Sequence, residues 1–258
     1  MRFPLVAALG MFLAVGPARL YLQAQSFVDP GEHLTAATVR LVLRSTSWGT
    51  GWMVQLMMAA LAAIICFRPA RSPRASRSTV WSTAVGLAAA FSTPLTGHAV
   101  AGPWPPAIQV FVQGVHVLGG GVWLGTLLAL MVIGFRTTRG LDREARAEAV
   151  SQLVQRFSPL ALAGAATLVL AGSIMSWLYL RSIPALWQTV YGRTLLVKLA
   201  VLVAVLAHGA FNWRRVKPTL SSPAGTEMLR RSAGLELVLG ALLLAVTAVL
   251  VALPTPHM

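Results

Sequence analysis

The chain has 258 residues, 56% of them apolar and only 11% charged, where a soluble domain carries roughly a quarter charged residues. Its formal charge is +14, and fourteen of its 21 basic residues fall in three short loops between apolar runs, a placement that fits membrane anchoring and argues against a nucleic-acid surface. The single cysteine, Cys66, excludes an intrachain disulfide and any cysteine-based zinc cluster. Beside Arg68 near a helix end, it reads as a packing thiol.

Seven apolar runs are able to span a bilayer, at about 3–22, 49–67, 79–98, 107–135, 157–180, 193–213 and 232–253. Most match the ~20 residues that cross a ~30 Å hydrocarbon core. The fourth is longer, so its start at Pro105-Pro106 is expected outside the bilayer or tilted. The fold expected is an all-α, polytopic transmembrane helix bundle of about seven spans, one integral-membrane domain over 1–258 embedded in the lipid bilayer. The first run has the alternative of a signal peptide, with Arg2 ahead of an apolar stretch at 3–15. Gln23-Ala24-Gln25 is a poor cleavage site, so a retained helix is expected.

The loops set the orientation. Arg68, Arg71, Arg74 and Arg77 follow the second run, and Arg136, Arg139, Arg143, Arg146 and Arg156 follow the fourth. Arg214, Arg215, Lys217, Arg230 and Arg231 flank the loop after the sixth, while the alternate loops hold few charges. The arginine-rich side is expected to be cytoplasmic, with the N-terminus inside and the C-terminus external, in the inner membrane of a cell. Trp48, Trp52, Trp104, Trp177 and Trp187 then fall near the outer interface, and Trp81 and Trp213 near the inner one. On the fourth run Gly114, Gly119, Gly120, Gly121 and Gly125 form a small-residue face with a GxxxG pair, the pattern of close helix approach.

The chain has no Walker A sequence, no HExxH and no acidic two-metal cluster. Gly119-Gly120-Gly121 lacks the strand and spacing of a dinucleotide loop. No nucleotide partner and no enzymatic activity are expected. The histidines say more. His98 lies about 20 positions beyond the Arg68–Arg77 loop and His116 lies 20 before Arg136. At ~1.5 Å per residue both sit ~30 Å from the inner boundary, at the outer edge of the membrane. A seven-residue uncharged loop, Ala99 to Pro105, joins their helices. Imidazole ligates copper, iron or zinc, and ionisable groups at membrane depth are usually functional. The depth-matched pair is therefore read as metal ligands ahead of simple interfacial hydrogen bonding.

His33 and His257 lie in outer segments and read as solvated. Met53 and Met57 stand at i, i+4 on the second run, and thioether suits Cu(I). Packing is the plainer reading of both, and Met53 is kept as a possible relay position. Lys198 lies close enough to the end of the sixth run to snorkel outward. His208 and Glu236 fall at similar inner depth. They are expected to share a hydrogen bond, or else Glu236 pairs with a loop arginine.

Several stretches carry a resemblance. They are Trp48-Gly49-Thr50-Gly51-Trp52, Gly97-His98-Ala99, Val115-His116-Val117-Leu118 with Trp123-Leu124-Gly125, Arg156-Phe157-Ser158-Pro159-Leu160-Ala161, and Tyr191-Gly192-Arg193-Thr194-Leu195-Leu196-Val197-Lys198-Leu199, with Asn212 and Glu236 beyond them. In this order and spacing, over about residues 40–254, the chain resembles the copper resistance protein D family, CopD/PcoD-like. The resemblance implies an inner-membrane protein that moves or presents the copper ion, contributing to copper homeostasis and resistance, often with a small periplasmic copper-binding protein as partner. No such partner domain is expected within these 258 residues, and fewer spans are expected than in the larger members. His208 stands where a small apolar residue is expected, so the resemblance gives it no role. The metal ligands expected are His98 and His116, with Met53 behind them. The rival reading is a membrane electron-transfer subunit in which the two histidines ligate a haem.

Overall fold

The computed structural model describes residues 15–29, 31–67, 75–97, 104–180 and 182–253, and within these it leaves out the side chains of residues 62, 65–67 and 75–82. His98, His257, the arginines at 68, 71 and 74, and residues 3–14 of the first run lie outside the described residues, as do the side chains of Cys66, Arg77 and Trp81. Among the described residues there is no strand, and the chain is all-α. It divides into two compact units, Met1–Leu118 and Gly119–Met258.

Unit 1 begins with α1, residues 15–25. Gly31, at φ 99°, supplies the left-handed residue that turns the chain toward α2. α2 is Ala36–Ser45, capped by Thr35, whose hydroxyl accepts from the Thr38 amide at 3.2 Å. Thr46 then ties α2 to the next helix: its hydroxyl donates to the Val42 carbonyl at 2.6 Å and accepts from the Gly49 amide at 2.9 Å. α3, Ser47–Phe67, is 21 residues of the second apolar run. It packs on α4, Ala75–Ser92, and on the 3₁₀ turn Thr93–Thr96 that follows. Gly51 permits this approach, because a Cβ there would lie 2.6 Å from the Leu95 side chain. α5, Pro106–Ala129, starts at the double proline and runs through the boundary between the units. Pro106 fits a first helical position, where a missing amide hydrogen costs nothing.

In unit 2, α5 continues through a π turn at Leu130–Gly134 to Phe135–Thr137. α6, Arg143–Leu180, is 38 residues long, or ~57 Å at ~1.5 Å per residue. That length exceeds the hydrocarbon core, so its charged first turns, up to Arg156, project from it. Asp142 caps it, accepting from the Ala145 amide at 2.8 Å. The short α7, Ala185–Gln188, leads to α8, Val190–Phe211, capped by Thr189. α8 passes into a second π turn, Asn212–Val216, and a 3₁₀ turn, Lys217–Thr219. α9, Pro223–Ala252, is capped by Ser222 and carries proline at its first turn.

Among the described residues, four helices are long and apolar enough to cross a membrane: Pro106–Thr137, Arg143–Leu180, Val190–Thr219 and Pro223–Ala252. They hold the fourth to seventh runs. Their outward faces are apolar to a degree water would not tolerate, with Leu170 68% and Trp177 74% exposed. Lipid covers such faces without cost, and the chain is a helical membrane protein.

The glycine face of α5 is more selective than its sequence suggests. A Cβ on Gly119 would lie 2.7 Å from the Leu168 amide nitrogen and 2.8 Å from the Gly164 carbonyl oxygen. A Cβ on Gly164 would meet the Gly119 carbonyl and the Trp123 nitrogen, each at 2.9 Å. Gly121 and Gly125, the expected GxxxG pair, have nothing within 4 Å of such a Cβ. The close α5–α6 crossing is thus made by Gly119 against Gly164, and the GxxxG pair has no part in it among the described residues. Below the crossing, Trp123, Val205 and Leu243 form a buried cluster. Leu130, Val150, Val154, Val216, Leu220 and Leu229 form another.

Candidate functional site

Two polar constellations stand out, one in each unit. In unit 1, Arg19 of α1 reaches into the helices. Its Nη1 donates to Gln55 Oε1 at 3.4 Å and its Nη2 to Thr96 Oγ1 at 3.1 Å, with the guanidinium 6.0 Å from the Trp48 ring centroid. Gln55, buried in the middle of α3, donates from Nε2 to Thr96 Oγ1 at 3.0 Å and to the Ser92 carbonyl at 3.2 Å. The 3₁₀ turn after α4 makes this possible, since it presents both the Ser92 carbonyl and the Thr96 hydroxyl to α3. No acidic group pairs with Arg19 among the described residues, so its charge is held by neutral dipoles.

The turn leads directly to Gly97, the residue before His98. A Cβ on Gly97 would lie 3.7 Å from Gln113 Nε2. Gln113 belongs to α5 and stands three residues before His116, within one helical turn of it. Gln109, Gln113 and His116, spaced by four and three residues, share one face of α5. Gln109 is 2% exposed, and its Nε2 donates to the Trp104 carbonyl at 2.6 Å. The amide oxygens of Gln109 and Gln113 are buried and accept nothing among the described residues. An unmet buried acceptor costs about 1–3 kcal/mol. The face that carries His116 therefore has spare acceptor capacity beside the segment that leads to His98.

Met53 and Met57 are 39% and 58% exposed, and Gln55 between them is buried. A two-residue step turns ~200° about a helix, so both thioethers look away from the Arg19 network. His33 is exposed in the loop before α2. Among the described residues no group of three or more His, Cys, Asp and Glu side chains comes together.

In unit 2 the inner polar pair is wired differently from the expectation. Glu236 does not meet His208. Its Oε1 accepts from Trp123 Nε1 at 3.3 Å and its Oε2 from Asn212 Nδ2 at 3.2 Å. His208 Nε2 lies 3.1 Å from the Ser232 carbonyl and 3.0 Å from its hydroxyl. The same hydroxyl donates to Asn212 Oδ1. Ser232 and Asn212 thus stand between the two residues. No loop arginine pairs with Glu236 among the described residues either, where the ion pairs are those of Arg230 and Arg231 with Glu227 at 2.9 and 3.0 Å. Asn212 is the first residue of the π turn, and π turns widen a helix at sites of use.

This wiring makes a stability prediction. Asn212→Ala and Glu236→Ala should couple by ~0.6 kcal/mol, the typical worth of a polar pair between membrane helices. His208→Ala and Glu236→Ala should couple less, since two groups intervene. Unfolding of the four proteins of each cycle in mixed micelles measures both, and additivity of the Asn212 and Glu236 changes would contradict the contact.

Residues 1–105 match the family model described as copper resistance protein D-like, N-terminal domain, and residues 151–250 match that described as copper resistance protein D. The chain belongs to the copper resistance protein D family. Among curated proteins it is similar to the copper transport protein CutJ of Bacillus subtilis (strain 168), with 26% identity over 257 residues, 97% of this chain. That alignment spans 45% of the relative, so the copper resistance D chain covers a little under half of its length. No solved structure matches it. Membership ties the protein to copper. Arg19, Gln55, Gln109 and Gln113 are polar groups that a reading led by histidines and methionines passes over. Their signal was present, as a charge and amides inside apolar runs.

Proposed function

We propose that this protein moves copper across the cytoplasmic membrane and takes it up at the outer face through His98 and His116. The observation that carries the reading is the match of both family models, together with Gly97 seated beside Gln113, one turn from His116. Neutral imidazoles bind copper well, and a small set of nitrogen ligands still lets the ion leave. Arg19, held beside the 3₁₀ turn by Gln55 and Thr96, fixes the segment that leads to His98. Met53 is the further thioether for a relay. Copper is the cargo, and no nucleotide is used. A small copper-binding protein outside the membrane would deliver or receive the ion.

The reading needs seven spans with the N-terminus inside and the C-terminus outside. Reporter fusions after Arg74, Arg143 or Lys217 should therefore read cytoplasmic, and fusions after Gly102 or His257 external. An external signal at residue 143 would invert the frame and move both histidines to the inner face. Copper binding by the two histidines is tested separately by the variants treated in the Discussion.

A further inference from the structure

Glu236 is a carboxylate among apolar helices with only neutral hydrogen-bond partners. Trp123 and Asn212 each donate one hydrogen bond, to different oxygens. An ionised carboxylate offers about four acceptor sites, so acceptor capacity stays open. No cationic side chain pairs with it among the described residues, the ion pairs there being those of Glu227. A carboxylate in a low-dielectric setting is costly without a cation, and dipoles compensate it only in part.

Glu236 also lines a half-open cavity of about 510 Å³ between α5, α6, α8 and α9. The walls from α5 and α6 are uncharged, as are those from α8 before its π turn. The other charged residues on the wall are Arg214 and Lys217. Lys217 is directed elsewhere, with its ammonium 3.5 Å over the Trp213 ring. The carboxyl group thus faces this space with no ion-pair partner among the described residues. Two further donor atoms converge on Ser232: His208 Nε2 and Asn212 Oδ1 both bond to its hydroxyl. One rotation of the Ser232 side chain frees the Asn212 amide oxygen, while the imidazole nitrogen, which also lies 3.1 Å from the Ser232 carbonyl, has to exchange that contact as well.

The geometry points to a cation site at Glu236 in unit 2, taking divalent copper through the Glu236 carboxylate, His208 Nε2 and Asn212 Oδ1. Oxygen and imidazole donors without thiolate suit Cu(II) more than Cu(I). The inference rests on the copper reading above and adds a second station, separate from the histidines at the outer face. Arg214 and Lys217 then repel a cation at that part of the wall and leave the carboxylate its attractive centre.

The test is bound copper per folded protein after loading the full chain in detergent with Cu(II) and removing the excess. The proteins are wild type, Glu236→Gln, His116→Ala and the double variant. Glu236→Gln should lose one copper equivalent that His116→Ala retains, and the double variant should lose both. Wild-type loading in Glu236→Gln, with loss in His116→Ala, overturns the Glu236 site and leaves the outer reading standing. Loss in Glu236→Gln alone supports the Glu236 site and overturns the outer one. No copper in wild type removes both. Should Glu236→Gln fold poorly, the wild type decides: Cu(II) should slow coupling of an apolar carbodiimide to Glu236, mapped by mass spectrometry, and unchanged coupling overturns the site.

Discussion

His98→Ala and His116→Ala are each expected to remove most copper binding at the outer face and the copper-dependent growth effect, while the protein is still made. Both residues lie ~20 residues from a basic loop, and hence at one depth. Gly97 lies beside Gln113 on the α5 face that carries His116. With only two imidazoles in the expected set, loss of one leaves too few ligands for tight binding. Binding should also fall as the pH is lowered, because a protonated imidazole cannot ligate. His257→Ala should change little, since a terminal residue pays ordering entropy to join a site. Wild-type loading of the outer site in both the His98 and His116 variants would refute the ligand assignment.

Gly164→Leu is expected to have the largest effect on stability. The α5–α6 crossing leaves no room for even a Cβ: both nearest atoms are backbone, at 2.9 Å. The backbone of a packed helix pair moves only as a body, so the strain cannot be relieved by one rotamer. Overpacking typically costs 1–3 kcal/mol, and a leucine against backbone should reach about 3 kcal/mol or more. Gly121→Ala, with open space around its Cβ, should stay within about 0.5 kcal/mol. Thermal unfolding in detergent compares the two. Equal losses would mean that the crossing is not where Gly119 and Gly164 place it.

Much of the architecture was legible because lipid simplifies the code. Apolar runs marked the long helices, whereas α2, Ala36–Ser45, lies in a stretch read as a loop between two runs. The two π turns were not legible, because a shift to i→i+5 bonding follows packing and leaves no composition mark. Depth counting brought His208 and Glu236 to one network, yet it named the wrong contact. Counting residues fixes height along a helix and leaves the angle around it open, and that angle gave Glu236 to Asn212 and Trp123. The GxxxG pair misled for the same reason, since its face of α5 has nothing packed on it among the described residues. The Arg19 network joins positions 36 and 77 residues apart, a meeting that no local pattern announces. The outer site stays a chemical inference from His98, His116 and Met53, supported by the family and by the position of Gly97.

The central claim is that this chain binds copper as its cargo. Metal analysis of the purified wild-type protein, loaded with copper and read beside its visible spectrum, tests it most directly. Stoichiometric copper and no intense haem band are expected. A haem band with two histidine ligands and no copper would contradict the claim and make the protein an electron-transfer subunit.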